Sequence, residues 1–169
     1  MNFGHRRATG RATAQVPLLL WLALALIWPA TQAGGTLSLD QAIASGVVSA
    51  TAAPGNDFSR LALTITPNAE PVMIAVLPGT RFVPEDPALA EVISVERIER
   101  LVQGETVIDP LPVASLSSSK PGPSPLDATA YTVAGLAPGT LLNLLADAEA
   151  RGLSGSQATQ LAVWATAEK

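Results

Sequence analysis

Hydrophobic and polar positions alternate most clearly between Leu61 and Leu77. Leu61, Leu63 and Ile65 are interleaved with Ala62, Thr64 and Thr66, and Val72, Ile74 and Val76 with Met73, Ala75 and Leu77. A period of two sends successive side chains to opposite faces, so the pattern predicts two strands, each with one strongly apolar face. Pro67-Asn68-Ala69-Glu70-Pro71 breaks both, and the expected arrangement is a hairpin. Such a hairpin has to bury its apolar face against a second layer. Val47 to Ala53 predicts a strand leading into it. Arg81-Phe82-Val83 predicts a short strand after the turn Leu77-Pro78-Gly79-Thr80, where Gly79 can take positive φ.

Ala88 to Gln103 fits two patterns. Leu89, Val92, Ile93 and Leu101 can be placed on one helical face. The β-branched Val92, Ile93 and Val95, and the turn formers Gly104-Glu105 before Thr106-Val107-Ile108, favour strands joined by a hairpin. Leu111 to Leu116 predicts one more strand, placed at an edge by Pro112. Ser117 to Pro125 is a surface loop by composition, too rich in Ser and Pro to pack, and Thr129 to Val133 is a brief extended piece around Tyr131.

Helical periods stand at the two ends of this strand region. Leu39 to Ser45 predicts a short helix, with Ser38 and Gln41 at capping-box spacing and Gly46 as the stop. Near the C-terminus, Leu141, Leu142, Leu144, Leu145 and Ala148 share a face between Pro138 and Gly152. Ala158, Leu161, Ala162 and Ala165 form a second stripe beside Trp164, with Ser154 and Gln157 at capping-box spacing. The two predict a helical hairpin that covers the sheet system. The expected fold is mainly β (α+β): an antiparallel β-sandwich or partly open barrel of about six or seven strands, with a short N-terminal helix and a C-terminal helical hairpin.

Composition adds an address. Met1 to Gln15 carries His5, Arg6, Arg7 and Arg11 and no acid, Val16 to Trp28 is apolar, and small residues stand at Thr31 and Ala33. This is the order of a secretory signal peptide over residues 1–33, cleaved after Ala33. The apolar run is short against the roughly 20 residues of a membrane span. One domain, 34–169, follows, secreted or periplasmic, with membrane contact only through the leader if it is kept. That domain holds seven Lys+Arg and fourteen Asp+Glu, a net charge of −7, which argues against a nucleic-acid partner.

Candidate chemistry is narrow. The chain has no Cys, and its one His lies in the leader, which excludes Ser-His-Asp and Cys-His nucleophiles and a typical zinc site. No cofactor is expected. Glu85-Asp86 offers too few oxygens for calcium, which takes six to eight. A glycosidase needs two carboxylates facing a cleft, and sugar-binding clefts favour aromatic platforms, which the domain largely lacks.

Thr159-Gln160-Leu161-Ala162-Val163-Trp164 near the C-terminus resembles the thioester domains of Gram-positive surface adhesins, whose T-Q-x-A-x-W glutamine is joined to a strand cysteine. Without a Cys, Gln160 cannot form that bond, so the resemblance implies a packing role for Gln160 and Trp164. With Pro78-Gly79-Thr80-x-Phe82, the whole pattern also looks like exported bacterial β-sandwich domains, a likeness that carries no activity with it. The candidate motif or contact residues are therefore Gly79, Thr80, Phe82, Gln160 and Trp164. The expected function is a non-enzymatic binding or structural module of the cell envelope or extracellular space. Its partner would be a protein or envelope component met by the loops Pro78–Arg81 and Ser117–Pro125. The alternatives are a carboxylate-based hydrolase and a degenerate thioester-type adhesin domain.

Overall fold

A computed structural model describes residues 35–169. The leader predicted over residues 1–33 lies outside the described residues. The chain runs β1 (Leu37–Ser38), α1 (Leu39–Ala44), β2 (Val48–Pro54), β3 (Arg60–Pro67), β4 (Val72–Val76) and β5 (Thr80–Pro84). It continues through β6 (Val92–Ser94), β7 (Ile98–Val102), β8 (Thr106–Ser115) and β9 (Tyr131–Leu136) to α2 (Gly139–Ala150) and α3 (Gln157–Ala167). The fold is mainly β. Six strands close in the order β2-β3-β8-β6-β5-β9, and β1-β4-β7 form a separate mixed sheet.

The strands expected around Leu61 and Val72 are both present, but they do not form the expected hairpin. β3 pairs with β2 and β8, whereas β4 pairs with β1 and β7. The connecting turn explains the parting. Asn68 is pinned to the start of β2: its backbone N–H donates to the Val47 carbonyl (2.9 Å) and its Nδ2 to the Gly46 carbonyl (2.9 Å). Pro67 and Pro71 flank the turn and have no N–H to give to a ladder, so the chain passes from the ring to the other sheet. The turn at Gly104-Glu105 does the same, because β7 pairs with β4 and β8 with β3 and β6.

Ala88 to Gln103 resolves as strands, β6 and β7. β6 is buried at all three positions because both of its faces are covered. Val92 points into the core shared by the ring, α1 and β4, where Leu61, Leu63, Ile65, Phe82 and Tyr131 also lie. Ile93 points outward into a second core with Val95, Ala114, Leu141, Leu145 and Val163. That outer core docks α2 and α3, and its burial, not helix propensity, supplies most of the stability of helices this short.

β8 corrects the edge assignment made from Pro112. It lies between β3 and β6. The prolines are absorbed by irregularity: Leu61 faces Leu111 but Leu63 faces Ile108, so one extra residue is accommodated beside Asp109-Pro110, and Pro112 meets Arg60 where the β3 ladder ends.

The helix ends also differ from expectation. Ser38 occupies the N-cap of α1, but its hydroxyl makes no capping bond. α3 is capped by Ser156, not Ser154, with the Ser156 hydroxyl accepting from the Thr159 N–H (3.2 Å). The face α3 buries is Thr159 and Val163, while Ala158, Leu161 and Ala165 are exposed. The stripe of alanines carries too little apolar area to choose the docked face. Hydrogen bonds choose it instead, including one from the Thr159 hydroxyl to the Leu153 carbonyl (2.6 Å).

Candidate functional site

The sequence-predicted residues divide between two places. Gly79, Thr80 and Phe82 lie on the turn and strand beneath α2, and Thr80 and Phe82 are fully buried. Gly79 has φ +86°, and a Cβ there would stand 2.3 Å from the Leu142 side chain. Only glycine combines that backbone conformation with so close an approach. Around it, the Gly79 N–H donates to the Ser94 carbonyl (2.8 Å), and Gly79 in turn accepts from Ala137 (2.8 Å). The Thr80 and Ser94 hydroxyls both donate to the Leu77 carbonyl (2.7 and 2.5 Å). These residues lock α2 to the ring and are withdrawn from any contact surface. The expected grouping of Pro78–Arg81 with the Ser/Pro loop does not hold, because the two lie at opposite ends of β5.

Gln160 and Trp164 sit half-buried on α3. The Gln160 carboxamide accepts from the Ser115 N–H (2.9 Å) and donates to the Ser115 carbonyl (2.8 Å). Ser115 lies past the end of the β3 ladder, so the side-chain amide stands in for a missing strand. Trp164 is not the core anchor; Val163 is. Its indole Nε1 is shut from solvent with no acceptor among the described residues. One turn further, Glu168 accepts from the Ser118 N–H (2.6 Å) and hydroxyl (3.1 Å). The bond from the Ser118 N–H, then that from its hydroxyl, holds the Glu168 carboxyl below the usual carboxylate range. Through Gln160 and Glu168, α3 grips the root of the long loop between β8 and β9.

That loop, the β2–β3 turn and the β5–β6 loop form one end of the molecule. The Ala90 N–H donates to the Pro121 carbonyl (2.8 Å), Lys120 Nζ to the Pro87 carbonyl (2.8 Å), and the Glu85 N–H to the Ala130 carbonyl (2.9 Å). Gly122 lies against the Phe58 backbone. Pro123 is buried, so part of this segment packs, against expectation. Two large apolar side chains stand bare here, Leu126 at 92% exposure and Phe58 at 69%. The same loops carry Asp57, Glu85, Asp86 and Asp127, against the bases Arg60 and Lys120, while Glu91 pairs with Arg81 (2.6 Å). Arg60 pairs with Asp57 at 3.5 Å. Beneath the loops, Tyr131 is fully buried and its hydroxyl has no partner among the described residues. Burial first, then the nearby Asp127 and Asp86, push the phenol up to about 12.

Phe58 and Leu126 were not singled out from sequence. The only signals were an apolar residue inside Gly55-Asn56-Asp57-Phe58-Ser59 and another between Pro125 and Asp127.

Among the described residues, three of the surface depressions are well formed. One, of about 270 Å³, lies between the start of α3 and the ring and is lined by Ser59, Val113, Ser156 and Gln160 among others, with no acid. The other two flank α1, at about 330 and 280 Å³, and share Asp40 as their only carboxylate. Comparison with protein-family models, curated proteins and solved structures finds no match for this chain.

Proposed function

We propose that the chain is an exported, non-enzymatic binding module of the cell envelope or extracellular space, and that its contact surface is the loop end bearing Phe58 and Leu126. The observation that carries this reading is that pair. A single exposed leucine is ordinary on a protein surface. Two large apolar side chains projecting from loops tied to each other, ringed by polar residues, match the anchors of protein contacts. The ring is acidic, so the partner is a protein or envelope component with an apolar pocket and a basic rim, not a nucleic acid. Of the two expected forms we read the sheet system as a barrel, closed by the Ala52–Tyr131 pair, and as a rigid frame that holds these loops. The carboxylate-hydrolase reading needs two acids in one cleft, and none of the three depressions brings two together.

The test is capture of partners by the tagged full chain from envelope and medium extracts, beside the Phe58→Ser/Leu126→Ser double variant. Species retained by the native chain and lost by a variant with unchanged circular dichroism support the loop end. Equal retention by both overturns it.

A second reading, a thioester-type adhesin domain that has lost its thioester, draws on the Gln160 carboxamide held at a strand residue, Ser115. In the Ser115→Cys variant this reading expects attack of the thiolate on the Gln160 side-chain carbonyl with loss of ammonia. An unchanged intact mass removes it.

A further inference from the structure

We infer that the open edge of β9 beside α1 is a second contact site, and that its occupant is an extended peptide segment of a partner protein carrying an apolar residue next to a basic one. On one side β9 pairs with β5 at Tyr131, Thr132, Val133 and Leu136. On the other it has a single pair, Tyr131 with Ala52, whereas β2 pairs with β3 along its whole length. Past Tyr131 no further β2–β9 pair forms, and α1 touches both strands. A helix can stand in such a gap but does not present the row of donors and acceptors that a strand does, so it cannot continue the ladder. Among the described residues, no backbone hydrogen bond joins Thr132–Leu136 to α1.

The space left is shaped for a strand. The depression of about 330 Å³ is walled by Ile43 and Ala44 on one side and by Val133 and Gly135 on the other. No atom lies within 4 Å of where a Gly135 Cβ would be, so an incoming backbone can approach closely. Past Asp40 the second depression continues along Leu136 toward Arg97. Asp40 is the only charge lining the first depression, and the described chain carries excess acid, so a basic side chain is favoured there.

The β7 edge shows the contrast. β7 pairs only with β4, with Glu99 and Arg100 on it and Arg97 just before it, the usual protection against unwanted pairing. From Tyr131 to Leu136, β9 carries no charge. An uncharged edge with a groove beside it suits strand addition, in which main-chain bonds give affinity and alternate side chains give selectivity.

The experiment titrates the isotope-labelled full chain with a short synthetic peptide alternating valine and lysine, read by backbone amide shifts. Shifts confined to Thr132–Leu136 and α1 are expected. Asp40→Asn should weaken binding several-fold, and Asp40→Lys by about tenfold, the effect of about 1.4 kcal/mol. A peptide with proline at its centre should not bind. No shift at these residues, equal binding by the proline peptide, or unaltered affinity in both folded Asp40 variants overturns the proposal. The Phe58→Ser/Leu126→Ser variant should bind the peptide as the native chain does, which separates this site from the loop end.

Discussion

At the Thr80 end of β5 the chain turns beneath α2. The Thr80 and Ser94 hydroxyls are both bonded there, and Gly79 lies hard against Leu142. At the Pro84 end the arrangement is reversed. Leu126 and Phe58 face solvent, and the Tyr131 hydroxyl beneath them is buried without a partner. Buried polar groups are normally satisfied, so the first end is finished structure and the second is not. The lesson is that the glycine-turn motif, conspicuous in the sequence, is part of the frame, while the two most exposed large apolar side chains, Leu126 and Phe58, stand in turns that carry no motif.

Four measurements test this contrast. The largest effect should come from the closed end: Leu145→Ala, at a fully buried position of the outer core, should cost about 2–5 kcal/mol. Leu126→Ala at the open end should stay within about 0.5 kcal/mol. Denaturant midpoints for the pair check this, and similar losses would erase the contrast. Next, Gln160→Ala leaves the Ser115 N–H and carbonyl without their partner and should cost about 1–3 kcal/mol. Hydrogen exchange at the Ser115 amide should rise with it. Third, Tyr131→Phe removes an unpartnered buried hydroxyl and should be neutral or stabilising by up to about 1 kcal/mol. The sign of the accompanying pH effect follows from the raised phenol. Tyr131 leaves stability unchanged below pH 10 and lowers it between pH 10 and about 12, where the unfolded phenol ionises and the folded one does not. The fall is no steeper than about 1.4 kcal/mol per pH unit, and it should vanish in Tyr131→Phe. The smallest effect concerns Glu168. Its depressed carboxyl holds Ser118 at neutral pH and loses that hold as pH falls below the usual carboxylate range. The Ser118 amide resonance should move with acid in the native chain and stay fixed in Glu168→Gln.

Most strands were legible because alternation reports which side chains share a face. Partners were not, because the same alternation at Leu61–Ile65 and Val72–Val76 is compatible with one hairpin or with two separate sheets. The decision was made by Asn68 holding to Gly46 and Val47, a contact with no periodic signature. β6 was ambiguous for a related reason: a strand buried on both faces loses its alternation. In α3, small residues gave a stripe without enough apolar area to determine docking, and Gln160 decided the orientation through two hydrogen bonds to Ser115. Phe58 and Leu126 left no pattern at all. A side chain that packs against nothing in its own chain has no reason to sit at a regular spacing.

The single pair joining Ala52 to Tyr131 closes the ring, and it joins the first third of the chain to the last quarter. No shorter piece can complete the ring, because every truncation before Tyr131 leaves two strand edges open. Synthesis therefore runs most of its course before the final architecture is available. Closing so long a loop is entropically slow. Under a steady pull that separates β2 from β9, this seam has the fewest bonds to break, and it should be where the molecule first comes apart.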